Sequence, residues 1–124
     1  MADKNKSNYN ILPDNYSLYK RGLAMQRERY KEANLDNDFD SMVKCLENLK
    51  SELKNKAINK GNVNFIIRIE NIIDWYKRLP QKYTVRKEDG YFTHYPDDLH
   101  IKISKNLNIA YELLIKIMTI LDLL

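Results

Sequence analysis

The sequence predicts an all-α protein: a four-helix bundle-like domain with a small β-hairpin between helices three and four. Three observations carry this. Only 3 Gly and 3 Pro occur in 124 residues, too few turn formers for a strand-rich chain. Apolar residues recur at three- and four-residue spacing in four long stretches, the signature of amphipathic helices. One stretch, about residues 82–95, is instead β-prone and contains Asp89-Gly90, a dipeptide suited to a tight hairpin turn. The length suits one domain over residues 13–124. With 44% hydrophobic and 31% charged residues, the chain has a globular rather than a disordered composition.

Residues 1–12 read as a flexible polar tail rich in Asn, Lys and Ser, without periodicity. Pro13-Asp14-Asn15 reads as a helix start, because Asp14 or Asn15 can accept a bond from a free backbone N–H of the first turn. Helix one is expected at about 15–34, with Tyr16, Tyr19, Leu23, Gln26 and Tyr30 on one stripe. Helix two is expected at about 38–59. Its acidic start, Asp36, Asp38 and Asp40, suits the positive end of the helix dipole. Phe39, Met42, Val43, Leu46, Leu49, Leu53 and Ala57 form its narrow apolar stripe, so helices one and two are expected to pair as an antiparallel hairpin. Gly61 is placed to end the run in a left-handed cap.

Helix three is expected at about 64–79, stopped by Pro80. Phe65, Ile66, Ile69, Ile72, Ile73 and Tyr76 are its apolar residues; Asn64, Arg68, Asn71 and Arg78 oppose them. The hairpin follows at about 82–95 and, being only two-stranded, is expected to lean on the helices or on a partner. Helix four is expected at about 98–123, with Asp97 as its cap. Leu107, Ala110, Leu114, Ile117, Leu121 and Leu124 mark one face, and Ile109, Leu113, Ile120 and Leu123 widen it. A helix apolar nearly all round is either central or shared with another molecule.

The lone Cys45 and the polar residues from Met1 to Asn10 point to a cytoplasmic protein without a secretion signal. No uninterrupted apolar run reaches about 18 residues, so no membrane partner is expected. The net charge of +4 permits nucleic-acid contact without demanding it.

Several motifs resolve into structural roles. Asp36, Asp38, Asp40 and Glu47 follow the ligand spacing of a calcium loop, but Ser41 stands where its sharp turn needs Gly. They read as acids at and beyond a helix start. His94, Asp97, Asp98 and His100 match no metal signature. Cys45 lacks a neighbouring base. Glu70 and Asp74 have Arg68, Lys77 and Arg78 close along the chain. No glycine-rich loop for phosphate exists. No enzyme activity, cofactor or metal is therefore expected.

Two functional surfaces stand out. The first is a self-association face on helix four, with Ile109, Leu113, Ile117, Ile120, Leu121 and Leu124 as candidate interface residues. It gives the primary expectation: a non-enzymatic protein–protein interaction or assembly module that binds itself or another protein. The alternative is a nucleic-acid-binding accessory protein. Its candidate contacts are Lys77, Arg78, Lys82, Tyr83, Arg86, Lys87 and Tyr91 around the hairpin, with Lys20, Arg21 and Arg27 on helix one. Cations pair with phosphates, and aromatic faces stack on unpaired bases. A hairpin directly after a helix resembles the wing of winged-helix domains, but helix two exceeds a compact helix-turn-helix and helix three is too apolar to read a groove.

Overall fold

The computed structural model describes the backbone at residues 5–79, 83–87 and 90–123, and side chains at residues 17–79 and 95–123. The elements in chain order are α1 (Asn5–Leu35), α2 (Phe39–Asn59), α3 (Val63–Lys77), β1 (Tyr83–Lys87), β2 (Gly90–His94) and α4 (Asp97–Ile120). The four helices fall where the apolar periodicity puts them, except that α1 begins at Asn5 rather than Asn15. Pro13-Asp14-Asn15 therefore lies inside α1 and does not start it. A capping signal is worth only about 1 kcal/mol and does not by itself force a start. The turn before Pro13 is held by one backbone bond fewer.

The expected fold class needs one correction. Over the residues with described side chains the chain is 86% helical, with four helices and no strand. The folded body is thus a helical bundle, and the hairpin forms no part of it. The backbone of β1 and β2 pairs antiparallel, with Tyr83 opposite His94 and Lys87 opposite Gly90. Among the described residues the backbone of this pair does not come close to that of any helix. A two-stranded ribbon buries little apolar surface by itself, and the helices already cover one another's apolar faces.

α2 sits centrally, against α1, α3 and α4, and α4 packs on both α2 and α3. The α2 stripe is buried as its spacing predicts, from Phe39 through Leu46, Leu49 and Leu53 to Ala57. It meets Ile66, Ile69 and Ile73 of α3 and Ile103, Leu107, Leu114 and Ile117 of α4 in one core. Burial at this depth makes each Leu worth about 2–5 kcal/mol against Ala. α1 adds Leu23, Tyr30 and Ala33.

Three helices end in the same way. The C-terminal carbonyls of α1 are met by Asn37 N–H to Asn34 (3.1 Å) and Asp38 N–H to Ala33 (2.8 Å). Those of α2 are met by Gly61 N–H to Ile58 (3.0 Å) and Asn62 N–H to Ala57 (2.8 Å). Those of α4 are met by Asp122 N–H to Thr119 (3.1 Å) and Leu123 N–H to Met118 (2.8 Å). Each is a Schellman turn with its extra residue left-handed: Asn37 at φ 57°, Gly61 at φ 80° and Asp122 at φ 59°. The sequence flagged only Gly61. Asp38 closes the first turn and also caps α2, accepting from Ser41 N–H at 3.1 Å. α4 departs from expectation: Pro96 is its N-cap, no side chain caps it, and Asp97 and Asp98 lie in its first turn.

Candidate interaction surface

α4 owes its broad apolar character to its place in the bundle. Leu113 and Ile117, expected at an oligomer interface, are 4% and 0% exposed and belong to the chain's own core. Leu121 packs partly buried against that core, while Leu124 lies outside the described residues. Ile109 and Ile120 remain outside, 41% and 52% exposed, with Ile101 at 57% on the same outer side of the helix. Around them stand Asp98, Lys102, Lys105, Glu112 and Lys116, all exposed. The outer face of α4 is therefore three isoleucines set among charges of both signs.

Among the described residues, the basic residues expected to contact nucleic acid lie on or next to two helices, α1 and α3. Lys77 is held by Glu47, Nζ to Oε2 at 2.6 Å. Arg78 is exposed just beyond α3, and Arg21 is exposed on α1. α1 and α3 both pack on α2, and their backbones do not come close to each other among the described residues. Lys20 is half-buried; Arg27 is half-buried too, with its Nε shut from solvent. The side chains of Lys82, Tyr83, Arg86, Lys87 and Tyr91 lie outside the described residues.

Two of the carboxylates singled out by sequence, Asp40 and Glu70, are held by side chains of other helices. Asp40 accepts from the Tyr76 hydroxyl at 2.6 Å, and the Tyr95 hydroxyl lies 3.4 Å from that of Tyr76. Burial, then the Asp40 carboxylate, pushes the Tyr76 hydroxyl far above the ordinary tyrosine range. Glu70 is bound by Lys54 at 2.9 Å and Lys50 at 3.4 Å, both on α2, rather than by the basic residues adjacent in sequence. The Lys54 hydrogen bond holds its carboxyl below the ordinary range. His100 packs its ring on Phe39, centroids 4.8 Å apart. Cys45 is buried, and burial pushes its thiol pKa up, which disfavours the thiolate needed of a nucleophile. Among the described residues no three His, Cys, Asp or Glu side chains could hold a metal together.

Two features escaped sequence reasoning. Two open hollows of about 360 Å³ each follow the α1–α2 groove and share Gln26 and Asn48 in their walls. Gln26 Oε1 is buried there with no hydrogen-bond partner. The second feature is the seat of Tyr30, whose hydroxyl donates to the Leu107 carbonyl at 2.9 Å and lies 3.1 Å from Asn108 Oδ1. Its apolar spacing marked Tyr30 as inward-facing, but no local signal names a partner on α4.

No family model, no curated protein and no solved structure matches the chain. No described helix is long and apolar enough to cross a membrane.

Proposed function

We propose that the protein is a non-enzymatic interaction module that self-associates through the outer face of α4. The observation that carries this is the exposure of Ile101, Ile109 and Ile120 along one helix. Apolar surface removed from water contributes about 25 cal/mol per Å², so a second molecule covering these residues is favoured. Support also comes from the charges between the isoleucines, which are of both signs and so do not repel a like surface uniformly.

The test is light scattering of the protein and of its Ile109→Ser and Ile120→Ser double variant. Both positions are exposed, so the variant keeps its fold, with an unchanged helical circular dichroism spectrum. The expected result is an oligomer that dissociates in the double variant. Equal mass for the two proteins at every concentration removes this face from the proposal. Trimming Leu121 to Leu124 is a poorer test, because Leu123 is itself buried and closes the last turn of α4.

A further inference from the structure

The charges on the outer face of α4 specify how a second copy would lie. Asp98, Lys102, Lys105, Ile109, Glu112 and Lys116 are all exposed. They follow one another at alternating steps of four and three residues, which keeps them on one seam of a helix. The seam is complementary to its own reverse. When it is laid antiparallel on a copy of itself about position 107, Asp98 meets Lys116, Lys102 meets Glu112, and Lys105 meets Ile109. Each match occurs twice, as two-fold symmetry requires: residue i touches j and j touches i.

We propose that the partner of this face is a second copy of the chain, with the two α4 helices antiparallel and registered about position 107 by the Asp98–Lys116 and Lys102–Glu112 pairs. This rests on the self-association proposed above and goes on to fix its geometry. Within the chain, Lys102 lies over the Trp75 ring at 5.6 Å from its centroid, which holds its ammonium at the α3 edge of the seam. Among the described residues Asp98, Glu112 and Lys116 have no ion-pair partner inside the chain. The aliphatic stem of Lys105 can cover Ile109 of the other copy while its ammonium stays in water. Sliding the copy by four residues, to centre on Ile109, sets Lys102 against Lys116 instead. Like charges in contact disfavour that register.

The experiment uses two variants of the full chain, Lys102→Glu and Glu112→Lys, each alone and then mixed, with association measured by sedimentation. In either variant alone both copies of the central pair become like-charged, and self-association is expected to weaken by roughly tenfold. In the mixture both pairs are again oppositely charged, one with its sign reversed and one as in the unaltered protein, and mixed dimers are expected to form about as tightly as the unaltered protein. The Asp98→Lys and Lys116→Asp variants give the same comparison at the outer pair and check a variant that folds poorly. If the unaltered protein associates but mixing restores nothing at either pair, the register is overturned while self-association stands. If the unaltered protein stays monomeric throughout, both are overturned.

Discussion

The ring of Tyr30 lies flat on that of Tyr111, with centroids 4.1 Å apart and planes 5° from parallel. This stack, with the Tyr30 hydrogen bond to the Leu107 carbonyl, ties α1 directly to α4. Otherwise α1 packs on α2. Tyr30→Ala removes the stack and opens a cavity at the joint, and is expected to cost about 3–5 kcal/mol. Tyr30→Phe keeps the ring and loses one hydrogen bond, about 1 kcal/mol. Urea denaturation of both variants checks the ratio.

Alkaline stability follows from the same residue. Burial, then the neighbouring Tyr111, pushes the Tyr30 hydroxyl far above its ordinary range. In the unfolded chain it ionises near pH 10. The folded state holds the proton more tightly, so its contribution is complete below that pH and falls as pH rises above it. Stability should decline less between about pH 9 and 11 in Tyr30→Phe than in the unaltered protein. An identical slope would mean that the hydroxyl ionises as easily in the fold as outside it.

Glu70 has the opposite sign. Its carboxyl is held below the ordinary range, first by the hydrogen bond to Lys54, so its contribution is present above about pH 4.3 and lost as pH falls through the lower folded value. Glu70→Gln is expected to cost up to about 1 kcal/mol near pH 7, as partly exposed ion pairs do. Near pH 2 the difference should disappear.

The left-handed helix ends give a prediction independent of charge. Asn37 at φ 57° and Gly61 at φ 80° occupy equivalent positions. A side chain with a Cβ carries a steric cost there of about 1 kcal/mol. Asn37→Gly is expected to raise thermal stability. Gly61→Ala is expected to lower it by about 1 kcal/mol through the backbone alone, because a Cβ at that position would meet nothing within 4 Å. Melting temperatures should move in opposite directions.

Much of this architecture is legible in the sequence, and the remainder has physical reasons for being hidden. The α2 stripe from Phe39 to Ala57 is readable because one helix face meets several neighbours and every third or fourth position is apolar. The breadth of the α4 face is equally readable, but not its cause. Leu113 and Ile117 are buried by α2 and α3, and only the packing separates them from Ile109 and Ile120. The hairpin illustrates a different limit, since local turn chemistry at Asp89-Gly90 cannot show whether strands join the folded body. The ion pairs were hidden by register, yet they follow a simple rule. Glu47 with Lys77 and Lys54 with Glu70 both straddle Asn62 symmetrically, as an antiparallel pair joined by a tight turn requires. The Tyr30–Tyr111 stack joins residues far apart in the chain, so no local pattern could reveal it.

The most direct test of the central claim is sedimentation equilibrium of the unaltered protein across a thousandfold range of concentration at moderate salt. Self-association through the outer face of α4 predicts a mass that rises with concentration from that of the 14.8 kDa chain toward twice that value. A mass that stays at one chain over the whole range would contradict it.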